Sequence, residues 1–581
     1  MYTRIRNVQI LISLLKQYGI KKLVLSPGSR NIPFVHSVEE DSYFQCYSVV
    51  DERSAGYFAI GLAVQSGEPV AVSCTSSTAT CNYTPAVSEA YYQGVPIVFI
   101  TSDKMPQNLN QMDPQHINQV DMYRNFVKKA VDVPLADSAL NEWYCNRIIN
   151  EGLIAATTGR RGPVQINMHI KDHSIDIGNY VKEIPQERKI EYYTRCDSKI
   201  SKMLQSKKRI LIVAGQIHDD INKELRGFTE KYNCCVLTEP TSNIHGEYCI
   251  NGYSLVEMMG TSELKKLCPD LIITIGGNWV SYIHSRLDKL HNQFEHWSIC
   301  EDGEIVDCFH SLTAVFEMST KEFLCDMADK SSSVNDGVFY DEWKTKKELV
   351  YVDDLPYSNF WITGEYVKSL PKDCIYHTGI LNSTRDSFFY EFDNTIYYHS
   401  NIGTDGIDGV MSTFLGSSMA TEKQCFLLLG DLSFFYDMNS LGIRGLKNNV
   451  HILLINNKAG AEFHLNIGLK KDPELNLHTS AEHNHSAKGW VESLGYEYLT
   501  ADDKESFRQN LSRFMSASHE TPVVFEVFTD ANIDGEIGRQ VMEQYRNKLN
   551  TSFEGHAKQM IINVLGENTV RKVRESLNKK M

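Results

Sequence analysis

The stretch QCFLLLGDLSFFYDMNSLGIRGLKNNVHILLINNKAG, Gln424–Gly460, decides how this chain reads. Two apolar, β-rich runs end in polar punctuation, Gly430-Asp431 after the first and Asn456-Asn457 after the second. The 26 residues from Asp431 to Asn457 accommodate one helix and one strand. A βαβ unit of that length sets both side chains at neighbouring strand ends, facing one crevice. An Asp carboxylate, an Asn amide oxygen and the Ala459 carbonyl form a half-shell of hard oxygen ligands. Mg²⁺, or Mn²⁺ in its place, takes such ligands and completes its shell with water and phosphate oxygens. A helix opening after Gly430 would aim N–H groups at a diphosphate. Either element alone reads equally well as a helix cap and a turn. Their joint occurrence on consecutive strands predicts a metal–diphosphate site.

Outward from that stretch, short apolar runs alternate with helical segments, the pattern of parallel α/β sheets. The unit holding it spans 355–548, with strands in CIYHTG, NTIYYHS and PVVFEVF besides the two above. The N-terminal unit, 1–182, has strands KLVLS, PVAVSC and VPIVFIT, whose loops SPGSRN, TSSTAT and SDKMPQ should share a crevice. A middle unit, 190–335, carries KRILIVAGQ, NCCVLTE, DLIITIGGN and HWSICED, with a helix from about Asp219 to Tyr232. Its glycines end strands without forming GxGxxG, so a dinucleotide site has little support. Polar stretches at Asn179–Lys202 and Asp326–Glu342 read as linkers, and 549–581 as a helical tail. The fold class is therefore α/β, with three Rossmann-like parallel sheets.

At 581 residues the chain is too long for one core. Its net charge of −15 argues against a nucleic-acid partner. No apolar run approaches the roughly 20 residues that span a bilayer. MYTRIRNVQILISLLKQYGIKK is charged and amphipathic, and reads as a first helix rather than a signal peptide. The 14 cysteines include no CxxC pair, which suits buried thiols in a reducing cytoplasm.

The Gly-Asp…Asn-Asn arrangement resembles the thiamine-diphosphate motif. That chemistry needs a buried carboxyl group against the cofactor's aminopyrimidine, so that the cofactor's own nitrogen can remove its C2 proton. Glu52, in SVVDERSAGYFAIGLA, follows a strand and opens a small-residue helix. SPGSRNIPF (Ser26–Phe34), VVDERSAGYFAIGLA (Val49–Ala63), AVSCTSSTATCNYTPAVSEA (Ala71–Ala90), GVPIVFITSDKMP (Gly94–Pro106), TDGIDGVMSTFLG (Thr404–Gly416) and GDLSFFYDMNSL (Gly430–Leu441) together resemble one group. That group is the MenD family of menaquinone-pathway thiamine enzymes, the 2-succinyl-5-enolpyruvyl-6-hydroxy-3-cyclohexene-1-carboxylate synthases.

The resemblance implies a pyrimidine-binding domain, a central domain and a diphosphate-binding domain. It implies thiamine diphosphate and Mg²⁺ as cofactors, and a homodimer or homotetramer with each site at a subunit interface. By the same resemblance Glu52 is the activating glutamate, and Gln115 approaches the reacting centre. Asp431, Asn457 and Ala459 ligate the metal. Ile407 props the cofactor in its bent form, and Gly430 and Ser433 lie by the diphosphate. Ser29, Arg30, Lys104, Arg385, Glu462 and Phe463 face substrate. Several positions depart from the family pattern: Ile402 and Lys104 stand where it has Arg, Glu462 where it has an apolar residue, and Ser77 where it has Gly. A central Lys-Arg pair falls on Trp279–Tyr282, which lacks basic residues. Both substrates of the family's reaction, 2-oxoglutarate and isochorismate, are dianions, and Lys does not replace a bidentate Arg. Altered substrates are therefore expected.

Three functions follow from these residues. In the first, a 2-oxo acid donor loses CO₂ and its acyl-anion equivalent adds to an acceptor. In the second, the donor is decarboxylated to an aldehyde, with Glu462, His464 or His116 as proton source. In the third, the chain is a catalytically silent thiamine-binding subunit, which an intact Glu52, Asp431 and Asn457 argue against.

Overall fold

A computed structural model describes residues 1–171, 180–465 and 477–550. The expected tail, apart from its first two residues, lies outside them. The chain forms two compact units, Met1–Thr194 with Asp302–Glu317, and Arg195–Glu301 with Met318 onward.

The first unit is built on six parallel strands: β1 (Lys22–Leu25), β2 (Gln45–Ser48), β3 (Val70–Cys74), β4 (Ile97–Asp103), β5 (Ala130–Val133) and β6 (Val164–His169). Their order is β2-β1-β3-β4-β6-β5. The central strands β3, β4 and β6 are buried along their whole length, as expected of a parallel sheet covered on both faces. One face packs on the helix Arg6–Gln17 and the helix Ala139–Thr157, the other on α1 (Glu52–Ser66). Helix α1 is capped by the Asp51 carboxylate, which accepts from Ser54 N, and stops at Gly67 in the left-handed region. Its Ala55, Gly56, Ala59 and Ala63 let it lie close to its neighbours; a Cβ on Gly56 would sit 2.5 Å from that of Ala86.

The sequence revealed three of these six strands by their apolar runs and placed a fourth, β2, ahead of Glu52. It missed β5 and β6, whose buried Gln165, Asn167 and His169 disguise β6 as a polar segment. The stretch read as the first linker contains Glu191–Tyr193, which pairs in parallel with Ala314–Phe316. The second expected linker is mostly the flanks of two helices, Thr320–Asp329 and Val338–Glu348.

In the second unit, β7 (Ile210–Ala214), β8 (Cys234–Thr238), β9 (Cys249–Asn251), β10 (Leu271–Ile275) and β11 (Glu295–Cys300) run parallel in the order β9-β8-β7-β10-β11. The last sheet holds β12 (Ile375–Thr378), β13 (Tyr397–Ser400), β14 (Cys425–Gly430), β15 (Val450–Asn456), β16 (Glu497–Ala501) and β17 (Val523–Phe528), ordered β13-β12-β14-β15-β17-β16. Short helices follow its strands: α2 (Asn382–Ser387), α3 (Asp431–Tyr436) and α4 (Ala461–Leu465), with the longer α5 (Ala531–Leu549) closing the unit. Asn243 ties the two sheets together, its amide bonding both N–H and C=O of Tyr398.

Two strand-to-helix turns hold residues in a backbone region that L side chains rarely adopt: Ser77 after β3 (φ 73°, ψ −128°) and Leu381 after β12 (φ 63°, ψ −126°). At Ser77 the turn is fixed by its N–H donating to Gln119 Oε1 (2.7 Å) and its carbonyl accepting from Thr80. Non-glycine residues in such conformations cost about 1–3 kcal/mol, partly offset in glycine by its freer unfolded chain. Ser77→Gly should therefore raise the denaturant midpoint of the first unit, by about 1 kcal/mol in stability. An unchanged or lower midpoint would show that the turn carries no such strain.

Candidate functional site

In the first unit the loops after β1, β3 and β4 meet at the C-terminal edge of the sheet. The SPGSR loop lies so close to Thr75 that a Cβ on Gly28 would stand 2.3 Å from Thr75 Cβ. Arg30 N donates to Thr75 Oγ1 (3.1 Å), and its guanidinium donates to the carbonyls of Ile170 and Lys171. Ser29 sits on the same loop. Glu52 is the first residue of α1 and half-buried, with Asn82 Nδ2 3.4 Å from its carboxylate. Lys104 follows β4 and is engaged by Asp113 (2.7 Å) and the Pro114 carbonyl. Gln115 is held against Ser76 by two long hydrogen bonds, at 3.2 and 3.4 Å. The unit thus gathers Ser29, Arg30, Glu52, Lys104 and Gln115 on one sheet edge.

Beneath them lies a buried polar network that the sequence did not disclose. Asn167 donates to Asp103 (2.9 Å) and Asp132 (2.8 Å), and the His169 ring bridges Asp132 and the Lys104 carbonyl. Burial pushes the Asp103 carboxyl up. Desolvation would do the same to Asp132, but hydrogen bonds from His169 and Asn167 outweigh it and hold that group below its usual range.

The second unit assembles the other group of residues. The β14–β15 ladder pairs Gly430 with Ile455, so Asp431 and Asn457 emerge side by side from adjacent strand ends. Asp431 is buried and accepts from Leu432 N (2.7 Å) and Lys458 N (2.6 Å). Its closest side-chain partner of opposite potential charge is the His483 ring, Nε2 3.3 Å away, itself shifted toward its neutral form by burial. Asn457 donates to buried Asp534 (3.2 Å), which also accepts from Thr529 Oγ1 and Asn359 N. Asp534 and His483 were not singled out from the sequence; neither stands in a motif, and only the fold brings them here. A buried carboxylate with no Lys or Arg side chain paired to it among the described residues, an amide and the buried Ala459 form a donor set that suits a divalent ion sharing phosphate oxygens. Ser433, on α3, donates to the Ile407 carbonyl (2.6 Å), linking the segment at Gly430 to the loop 401–409.

On the far side of that loop is a small pocket walled by Val280, Ile380, Leu381 and Ile402, with Arg385 and Asp405 as its charged residues. Arg385 Nη1 lies 2.6 Å from Glu462 Oε1, and the guanidinium lies 5.9 Å from the centre of the Tyr282 ring. Phe463 is more than one-third exposed beside it in sequence. Tyr282 belongs to the segment where a basic pair was expected. That segment is held from below by Glu239, fully buried, which accepts from Val280 N, Ser281 N and Ser281 Oγ.

Residues 5–122 match the family model described as thiamine pyrophosphate enzyme, N-terminal TPP binding domain. Along nearly its whole length the chain is similar to enzymes named 2-succinyl-5-enolpyruvyl-6-hydroxy-3-cyclohexene-1-carboxylate synthase. That of Bacteroides fragilis is 35% identical over 567 residues, covering 94% of this chain and 100% of the relative. That of Bacteroides thetaiotaomicron is 35% identical over 559 residues with the same coverage. That of Flavobacterium johnsoniae is 31% identical over 543 residues, covering 91% and 97%. Among the described residues no helix is long and apolar enough to cross a membrane.

Burial pushes the Glu239 carboxyl up to about 7, against the three hydrogen bonds that favour its charged form. Its folded value thus exceeds that of the unfolded chain, so the folded state holds the proton more tightly. The resulting stability is fully present below the unfolded value, near 4.3, and is lost as pH rises through about 7. Urea midpoints measured at about pH 5 and about pH 8 should diverge less in Glu239→Gln than in the parent. An identical divergence would remove Glu239 as the source.

Proposed function

The chain belongs to the 2-succinyl-5-enolpyruvyl-6-hydroxy-3-cyclohexene-1-carboxylate synthase family of thiamine-diphosphate enzymes, and from that premise we propose how its residues divide the work. It is a thiamine-diphosphate- and divalent-metal-dependent enzyme that decarboxylates a 2-oxo acid and transfers the remaining carbon unit to an acceptor. When bound, the cofactor supplies the carbanion that attacks the 2-oxo carbon and the positive ring that takes up the electrons left by CO₂.

The observation that carries the assignment of roles is Asp431, a buried carboxylate with no Lys or Arg partner among the described residues, emerging beside Asn457 from the adjacent strand. Asp431, Asn457 and the Ala459 carbonyl hold Mg²⁺ and through it the diphosphate, with Gly430 and Ser433 at the start of α3 beside the phosphates. Ile407 bears on the cofactor from the loop that Ser433 fastens. Glu52 shares a proton with the aminopyrimidine nitrogen, and Gln115 orients the donor carbonyl. Ser29, Arg30 and Lys104 face substrate from one sheet edge, with Arg385, Glu462 and Phe463 facing it from the second unit.

In this reading 1–182 is the pyrimidine-binding domain, 190–335 the central domain and 355–548 the diphosphate-binding domain. Two copies of the chain form each pair of sites, so that Glu52 and Asp431 serve one cofactor across a subunit interface. The enzyme is cytoplasmic, and its donor and acceptor are small molecules.

Glu52→Gln should bind thiamine diphosphate within a few-fold of the parent yet release CO₂ from 2-oxo acids about 10²–10⁴-fold more slowly. Full activity in that variant would refute its role. For Asp431→Asn, calorimetry should show Mg²⁺-dependent cofactor binding weakened at least tenfold, the loss of one charge-assisted contact of roughly 1.5–3 kcal/mol. Undiminished binding would place the metal elsewhere.

A further inference from the structure

Among the described residues, Arg385 is the one cationic side chain lining the pocket beside the loop 401–409, and it already has a partner. Arg385 pairs with Glu462 at 2.6 Å, and both side chains are largely withdrawn from solvent, at 17% and 25% exposure. The second carboxylate oxygen of Glu462 is buried and has no hydrogen-bond partner among the described residues. Tyr282 covers another side of the guanidinium. Desolvation works against the Arg385 charge, but the adjacent Glu462 more than offsets it and holds the guanidinium charged. Asp405 adds a further negative charge at the rim, while Val280, Ile380, Leu381 and Ile402 supply apolar walls. Arg385, Glu462 and Asp405 together therefore carry one net negative charge.

The pocket adjoins the proposed cofactor segments on two sides. Ile402 and Asp405 stand on the same loop as Ile407, and Glu462 is five residues past Asn457 on the chain that leaves the metal ligands. With Ile407 and Asn457 holding the cofactor as proposed above, a group extending from the reacting carbon would reach this pocket. A carboxylate arriving there would meet an Arg385 whose charge Glu462 already balances, and would stand close to both Glu462 and Asp405. Breaking one member from such a pair costs far more than a rim contact returns.

We propose that Glu462 is a built-in substitute for a substrate carboxylate: by occupying Arg385 it selects a donor 2-oxo acid whose tail is uncharged, leaving the reacting carboxylate as the donor's single anionic group. This rests on the thiamine-dependent decarboxylation proposed above. The ion pair offers hydrogen-bonding edges to a hydroxyl or carbonyl.

Two five-carbon donors separate charge from size: 2-oxopentanoate, ending in a methyl group, and 2-oxoglutarate, ending in a carboxylate. With the holoenzyme in thiamine diphosphate and Mg²⁺, CO₂ release should favour 2-oxopentanoate by at least tenfold in kcat/KM. Glu462→Gln should move that ratio toward 2-oxoglutarate by at least tenfold, and Arg385→Met combined with it should abolish the shift. The unreactive pair pentanoate and glutarate reports the same pocket by calorimetry without turnover, glutarate binding tightening at least tenfold in Glu462→Gln. A parent enzyme that uses 2-oxoglutarate as well as 2-oxopentanoate overturns the proposal, whether or not the variant folds. So does an unchanged ratio in a variant that still binds the cofactor; in both cases the decarboxylase reading stands. If no 2-oxo acid releases CO₂, that reading fails instead, and the glutarate titration alone judges the pocket.

Discussion

A carboxylate taken out of water must be answered by a positive charge, by hydrogen bonds or by a proton, and the second unit is arranged around that requirement at Asp431. Two backbone N–H groups answer part of it, and the His483 ring, held toward neutrality by its own burial, answers little more. The strand register puts an amide from Asn457 alongside. Asn457 is in turn fixed by Asp534, whose own burial is supported by Thr529 and Asn359. The chain thus holds oxygen donors in place before any ion arrives, a preorganisation that spares the ligand the cost of ordering them.

The same demand recurs at the pocket, with the opposite solution. There the buried charge is Arg385, and the protein answers it internally with Glu462. Asp431 has only backbone N–H groups and a His ring as partners among the described residues, whereas Arg385 has a carboxylate. Close backbone approach lets both occur within short loops. Leu381 turns sharply after β12 so that α2 begins at once, presenting Arg385 one turn into the helix. In the first unit Ser77 makes the matching turn, and Gly28 brings its loop against Thr75.

How much of this the sequence disclosed depends on whether a residue's role is local. Asp431 and Asn457 were legible because a strand end and its successor fix them within one βαβ unit. Glu52 was legible because its helix starts where it stands. The fold class followed from the apolar runs of the central strands, while β5 and β6 escaped because edge exposure or buried polar side chains break their patterns. The polar network of Asp103, Asn167, Asp132 and His169 joins three separate strands, and no spacing announces it. Glu462 was visible as an acid at an unexpected place, but its partner, nearly eighty positions away, could be identified only from coordinates. Segments read as linkers from their polarity also hold short elements at their ends, the strand Glu191–Tyr193 among them.

The division of the chain also orders events in time. The N-terminal unit ends near Thr194 and resumes at Asp302–Glu317, after the strands of the second sheet have intervened. That later piece brings Asp307, whose fully buried carboxylate receives Arg188 and the Trp143 indole, and a strand that pairs with Glu191–Tyr193. A ribosome making about 5–20 residues per second therefore exposes Arg188 several seconds before its counter-ion emerges. Vectorial synthesis leaves the first unit unfinished through that interval, with the intervening polypeptide looped out between its two parts.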